Sequence, residues 1–351
     1  MRKNQTDETP EAPAAESAGR KQYRKIQKQM NLKSGIIGVV GRTNAGKSTL
    51  VNRILGEKVS IVSPVAQTTR SVIRGVLTEE RGQLVLLDTP GLHKSRNLLT
   101  STMNKRARVA AEGTDAVLLV VDASVSPQLE DEGWMRRLTK SDIPVIIAFN
   151  KTDKGRKTAE YEKLWAECVE TERANAERAN AERKNEENPP PQSPQPSTFN
   201  LPPSSFHTIS AATGAGVDAL VSALFELLPN GEPLFDADTL SDYPRKLAIA
   251  DIIRERFFLV LKDELPHSMG IIVETVRDTP ALTQISATVL CKRESQKGIV
   301  IGKSGKLIKD AQKSAAKEIA AAYGTPATVA LRVKVVPNWD ETPAYLTQMG
   351  L

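Results

Sequence analysis

Eight consecutive residues carry the densest chemistry in this sequence: Gly41-Arg42-Thr43-Asn44-Ala45-Gly46-Lys47-Ser48. They follow an apolar run, Ile36–Val40, and lead through Thr49 into helical spacing. The pattern is G-x-x-x-x-G-K-[ST], a loop between strand and helix whose glycines let backbone N–H groups turn inward around phosphate oxygens. Lys47 is a candidate catalytic cation able to reach the β- and γ-phosphates, and the Ser48 hydroxyl is a candidate Mg²⁺ ligand. The whole stretch from Gly41 to Thr49 is therefore a candidate phosphate cradle.

A phosphate loop alone does not choose between nucleotides, but three later segments do. Asp88-Thr89-Pro90-Gly91 follows the apolar run Leu84–Leu87. Asp88 at a strand end is a candidate Mg²⁺ ligand through water, and the Gly91 N–H is a candidate sensor of the γ-phosphate. Asn150-Lys151-Thr152-Asp153 follows Val145–Phe149. The Asp153 carboxylate can accept from both N1–H and the 2-amino group of guanine, whereas adenine offers an acceptor there. The stem of Lys151 can lie across the base, and Asn150 can brace neighbouring loops. Ser210-Ala211-Ala212 follows a last apolar segment and can present a backbone N–H to guanine O6. In the polar stretch between phosphate loop and Asp88, Thr69, or its neighbour Thr68, can complete Mg²⁺ coordination when a γ-phosphate is present.

These pieces need a scaffold that brings strand ends together. Strands are expected over Ile36–Val40, Ser71–Leu77, Leu84–Asp88, Ala116–Asp122, Val145–Asn150 and Phe206–Ile209, with helices starting near Lys47, Met103, Gln128, Thr158 and Gly216. Continuous apolar strands alternating with helices describe a doubly wound α/β sheet with ligands at the carboxyl ends of its strands. One segment interrupts the alternation. Thr171–Glu187 repeats Glu-Arg-Ala-Asn-Ala, a period of five that marks no face for burial, and five prolines follow between 189 and 196. It reads as an exposed helical extension and a loop.

After a short polar linker, a helix is expected over Tyr243–Lys262, strands over Met269–Val276 and Gln284–Cys291, two helical signals around Ile299–Ile301 and Lys306–Tyr323, and a strand over Thr328–Val336. Between those helical signals lies Gly302-Lys303-Ser304-Gly305. A GxxG loop in αββααβ order resembles the RNA clamp of type II KH domains, in which glycines admit a sugar-phosphate backbone and bases lie along an apolar groove. From Cys291 to Lys317 the basic residues far outnumber the acidic Glu294 and Asp310. Candidate RNA-binding residues are Lys297, Gly298, Ile301, Gly302, Lys303, Ser304, Gly305, Lys306 and Lys309.

The chain has 351 residues, 40% of them hydrophobic and 26% charged, and a formal net charge of +6. That is room for two cores, with a mild bias toward polyanions. Its two cysteines, Cys168 and Cys291, have no paired spacing, which argues against a disulfide framework or a zinc site. No apolar run is long enough to span a bilayer and no signal core is visible, so a cytoplasmic protein is expected. Residues 1–34 form a polar arm whose later half is basic without acids, able to touch RNA phosphates.

Together, Gly41–Ser48, Thr69, Asp88–Gly91, Asn150–Asp153 and Ser210–Ala212 resemble the five motifs of the translation-factor-related GTPases. With the KH-like segment, and with Gln67–Arg70, Asp88–Lys94, Glu264–Ser268, Ser295–Lys303 and Val333–Val336, the chain resembles the Era family of bacterial ribosome-assembly GTPases over about Ser34–Asp340. The arm and the insertion depart from that pattern. The resemblance implies a GTPase domain at 35–229 with an insertion near 171–200, a linker at 230–242, a KH domain at 243–340 and a C-terminal tail at 341–351. It implies binding to the 3′ region of 16S ribosomal RNA on the small (30S) subunit, action as a monomer, and peripheral contact with the inner face of the cell membrane. Ras-like enzymes place a water-orienting glutamine after the aspartate-glycine turn. Here that residue is Leu92, which implies slow hydrolysis. Asn44 matches a position that in some related GTPases helps hold K⁺.

Overall fold

The computed structural model describes residues 32–60, 69–91, 97–184, 204–261, 265–266 and 268–351. Two sheets organise it. The first has strands β1 (Lys33–Val40), β2 (Ile73–Glu79), β3 (Gly82–Asp88), β4 (Ala116–Asp122), β5 (Val145–Asn150) and β6 (Ser204–Thr208) in the order β2-β3-β1-β4-β5-β6. Only β2 runs antiparallel to its neighbour. β4 and β5 are buried along their whole length, as apolar runs covered on both faces must be. The covering helices are α1 (Lys47–Leu55), α2 (Leu98–Glu112), α3 (Leu129–Leu138), α4 (Thr158–Lys184) and α5 (Val217–Leu227). Parallel register then sets the site: Val39 pairs with Asp88, and Asp122 with Asn150, so every loop carrying a motif leaves the same edge of the sheet.

α4 is pinned by buried Tyr161, Trp165 and Cys168. It then runs on through the first part of the repeat, where Arg173 and Glu177 form an exposed pair at 3.2 Å. The remainder of the insertion, 185–203, and the basic arm up to residue 31 lie outside the described residues.

The second sheet, β7 (Gly270–Asp278), β8 (Thr283–Cys291) and β9 (Ala327–Val335), packs one face on α6 (Arg245–Val260) and α8 (Lys306–Tyr323); the short α7 (Glu294–Ile301) precedes the glycine loop. This is the αββααβ order expected. α6 starts at Arg245 rather than Tyr243 because Pro244 follows Tyr243 and bars it from helical geometry. β2 likewise starts at Ile73 rather than Ser71, whose hydroxyl is taken up by the Gly350 carbonyl at 3.4 Å.

The tail at 341–351 is not loose. A 3₁₀ turn (Trp339–Glu341) and α9 (Pro343–Gln348) fold back between the two halves. Leu99 and Met103 of α2 pack there with Leu290, Trp339, Leu346 and Met349. Arg70 lies over the Trp339 ring, 5.7 Å from its centroid. Buried Asp340 accepts from Asn97 Nδ2 at 2.5 Å and from Lys292 Nζ at 2.6 Å, while the Glu341 carboxylate accepts from the Leu98 N–H. Lys58 adds ion pairs to Glu255 at 2.8 Å and Glu318 at 2.7 Å. A six-residue helix has too little pattern to announce such packing, so sequence alone left it as a tail. Trp339 is fully buried. Trp339→Ala should therefore cost about 3–5 kcal/mol in denaturant unfolding, the usual penalty for emptying a large aromatic site. A loss below about 1 kcal/mol would mean that the clasp does not form in solution.

Candidate functional site

The phosphate loop bends at Gly46, φ 98°, where an added Cβ would stand 2.3 Å from Asn150 Nδ2. Gly46 caps α1 with no side-chain hydrogen bond. The first-turn N–H groups of the helix are thus left for an anion. Lys47 is buried, and its ammonium donates to the carbonyls of Gly41 and Arg42, each at 3.0 Å. Burial lowers its pKa to about 8, against the pull of Asp88 and with the push of Arg42. The lysine thus bridges the loop's own backbone at Gly41 and Arg42. Asn44 is exposed with φ 61°, a left-handed conformation asparagine tolerates.

Asp88 is fully buried at the end of β3. Among the described residues neither carboxylate oxygen has a hydrogen-bond partner of good geometry. Burial raises its pKa, and the nearby Ser48 hydroxyl, Lys47, and the Ser60 and Thr69 hydroxyls hold it down. Ser48 Oγ and Thr69 Oγ1 lie 2.9 Å apart. An orphaned buried carboxylate beside two hydroxyls is an all-oxygen donor set, which fits Mg²⁺. Thr69 is thus placed beside Ser48 and Asp88, while Thr68 lies outside the described residues. Thr89 locks its turn to β1 by donating to the Val39 carbonyl at 2.8 Å; Pro90 and Gly91 are buried beside it, Gly91 against the Thr43 backbone. Leu92 lies outside the described residues.

The base loop is braced as its residue types require. Asn150 Nδ2 donates to the Ala45 carbonyl at 2.8 Å, and Asn150 Oδ1 accepts from the Ala211 N–H at 2.9 Å. Lys151 Nζ donates to the Asn44 carbonyl at 2.6 Å, so its stem spans from the base loop to the phosphate loop. Thr152 Oγ1 donates to the Ile209 carbonyl at 2.8 Å. Asp153 is exposed, and the Ser210 hydroxyl holds its carboxyl below the usual range. Ser210 is buried and Ala212 exposed. Sequence reasoning missed Arg53, whose guanidinium on α1 donates to the carbonyls of Ala211 and Ala212 and anchors the last loop. It also missed Asp122 and Asp131 behind the phosphate loop. No local pattern marks these residues.

At the second site, Gly302 has φ 73°, and a Cβ there would meet Leu307 Cβ at 2.6 Å. Ser304 and Gly305 are also left-handed. The loop forms the rim of a groove of about 460 Å³ walled by Leu259, Val260, Leu307 and Ala311, with Lys303, Lys306 and Arg256 at its edge. Lys303, Lys306 and Lys309 are exposed; Lys297 on α7 pairs with Glu294 at 3.4 Å, Gly298 is exposed, and Ile301 half-buried.

A sheet with phosphate loop, buried metal-side aspartate and guanine-reading loop, joined to a GxxG module, defines a GTPase carrying a KH domain. Residues 36–151 match the family model described as "50S ribosome-binding GTPase", and residues 264–340 the KH domain. The chain is 35% identical to the GTPase Era of Nostoc sp. over 318 residues, 91% of this chain and 89% of that one. It is 35% identical to that of Carboxydothermus hydrogenoformans over 323 residues, 92% and 98%. Among solved structures, an Aquifex aeolicus Era variant bound to GDP·AlF₄⁻ matches with TM-score 0.75 and 31% identity, over 91% of this chain and 99% of that one. Era in complex with MgGDPNP and nucleotides 1506–1542 of 16S ribosomal RNA matches with TM-score 0.75 and 32% identity, over the same shares. This chain belongs to the Era GTPase family.

Phosphate raises the pKa of a contacting ammonium, so nucleotide binding takes up a proton wherever free Lys47 is neutral. GDP affinity should be steady up to about pH 8 and fall above it, by at most about tenfold per pH unit. Lys47→Arg, which stays charged, should bind more weakly but without this added slope. Equal slopes for the two proteins in titrations between pH 7 and 9 would exclude Lys47 as their origin.

Proposed function

We propose that GTP occupancy at the strand-end site controls the grip of the KH groove on the 3′ region of 16S ribosomal RNA, as a step in small-subunit assembly by a cytoplasmic monomer. One observation carries this reading: the left-handed GxxG loop rims an apolar groove edged by lysines, the shape and charge of a single-strand clamp. The RNA bound in the related Era complex gives the clamp its candidate target. The two buried free thiols, Cys168 and Cys291, are compatible with a reducing cytoplasm. Among the described residues no helix is long and apolar enough to cross a membrane, and no membrane step is included.

Ser48, Thr69 and Asp88 would hold Mg²⁺, as the MgGDPNP in the related complex suggests. When bound, the ion would supply positive charge to offset the charge of the phosphates. Around it the chain's own groups orient the nucleotide: the α1 N-terminus and Lys47 hold phosphates, Asp153 reads guanine, and Asn150 keeps both loops in register. With Leu92 in place of a glutamine, water is positioned by backbone groups, another side chain or a partner, and turnover is slow. Asn44 would add a K⁺ ligand near the phosphates. The nucleotide signal would pass by way of Thr69-Arg70-Ser71 and the start of α2, because both touch the 339–350 segment that also contacts Lys292 and β8 of the KH module.

Three measurements test this. Crosslinking of GTP-locked protein to RNA in cells should enrich the 3′ end of small-subunit ribosomal RNA. Lys303→Glu with Lys306→Glu should cut that binding by about 10²-fold or more at low salt and flatten its salt dependence, leaving GTP hydrolysis without RNA unchanged. Enrichment elsewhere, or full binding by the variant, would sink the RNA reading. Turnover should be several-fold faster in K⁺ than in matched Na⁺ buffer; equal rates would remove the monovalent ion.

A further inference from the structure

Behind the phosphate loop lies a charged group outside the donor set around Asp88. Arg42 of the loop forms ion pairs with Asp131 on α3, Nε to Oδ2 at 3.1 Å, and with Asp122 at the end of β4, Nη2 to Oδ2 at 3.4 Å. Asp131 is fully buried, and the Arg42 side chain is only 17% exposed. The same Asp122 oxygen takes Lys151 Nζ at 2.6 Å. The Tyr161 hydroxyl reaches both anchors, donating to the Asp122 carbonyl at 3.1 Å with Asp131 Oδ2 at 3.3 Å. Asp131 Oδ2 also accepts the Gln128 N–H at 3.0 Å, so it is fixed by the first turn of its own helix. Asp122 Oδ1 accepts from the Ser124 N–H and hydroxyl. The carboxylates are thus held from behind, and they hold one cation from the phosphate loop and one from the base loop.

We infer that Asp131 and Asp122 are positioning residues for GTP binding, acting through Arg42 to keep the phosphate loop open and through Lys151 to set it against the base loop. Arg42 stands in the phosphate loop, where its backbone carbonyl also accepts from Lys47 Nζ at 3.0 Å. With its guanidinium fixed by two carboxylates the loop is held in one conformation; without them the loop must be ordered as nucleotide binds, and affinity falls. Neither carboxylate belongs to the donor set around Asp88, and Asp131 bears on Lys47 only through its charge, so the loss falls mainly on binding. The inference rests on the nucleotide site and not on the RNA reading.

The test is steady-state GTP hydrolysis by the full chain without RNA. For a slow GTPase KM approaches the dissociation constant, so it reports binding. Asp131→Asn keeps an acceptor for the Gln128 N–H but removes the charge. It should raise KM roughly tenfold and change kcat less than about twofold. Arg42→Gln should do the same, and Arg42→Lys, which keeps charge without the fork, should fall between. Two residues acting through one ion pair are non-additive, so the double variant should match the worse single variant. Unchanged KM in both single variants, a fall in kcat at constant KM, or single effects that multiply in the double variant would each overturn the inference. Should Asp131→Asn fail to fold, the two Arg42 variants decide alone, their loop position leaving the core intact. An unsubstituted protein with no saturable GTP hydrolysis would remove the nucleotide site itself, and the anchor with it.

Discussion

The constraint on which the nucleotide site depends is one buried amide. Asn150 is 2% exposed and spends both ends of its side chain on backbone: its nitrogen on the phosphate loop at Ala45, its oxygen on the last loop at Ala211. A buried amide has nothing else to bond, so breaking either contact leaves a polar atom dry, at a cost of about 1–3 kcal/mol. Three loops from distant parts of the chain are thereby held at fixed separation before any nucleotide arrives. Gly46 follows from the same contact, since any side chain there would occupy the place of the Asn150 nitrogen. Sheet register supplies the coarse alignment and the amide supplies the fine one. Such pre-formed loops lose little freedom when ligand binds.

The two halves of the molecule meet through the last thirteen residues and the Lys58 ion pairs as well as through the linker. Arg70 stands immediately after Thr69, and desolvation lowers its pKa to about 9, with Arg254 adding repulsion while Asp251 and Asp340 oppose it. A buried guanidinium in such company is tolerated only with its counter-charges in place. Any movement of Thr69 toward a metal would drag Arg70 across Trp339 and Asp340. Asn97, capping α2 shortly after the Asp88–Gly91 turn, shares that Asp340. The Thr69–Ser71 segment and the start of α2 thus both lie against one acidic residue outside their own domain, the kind of connection a nucleotide switch requires.

How much of this could be read beforehand depends on whether a function is contiguous. The phosphate loop, the Asp88 turn and the base loop are short runs in which residue type and spacing state the chemistry, and flanking apolar strands state the place. The glycine loop at Gly302 was readable only because αββααβ order surrounded it; four residues alone would pass for a helix–helix turn. Asp122, Asp131 and Arg53 were not readable. Each looks like an ordinary surface charge on a strand end or helix, and its role comes from partners 29 to 159 positions away. Trp339 and Leu346 were missed for the same reason, being apolar residues in a stretch too short to show a period. Boundaries shifted where one residue had another duty, as with Pro244 before α6 and Ser71 before β2.

The placement of charge separates the two sites by mechanism. At the nucleotide site Arg42 and Lys151 are each matched to a carboxylate on the side away from the ligand, so little unpaired charge faces the phosphates apart from Lys47 and backbone N–H groups. Discrimination there rests on shape and on hydrogen-bond matching, which water and salt perturb weakly once the site is closed. At the KH module the arrangement is reversed. Lys303, Lys306 and Lys309 stand exposed beside the groove, and none has an ion pair among the described residues. Binding driven by such residues releases counterions and answers steeply to salt. One molecule thus sets a site whose cations are matched by carboxylates beside a surface whose lysines are not.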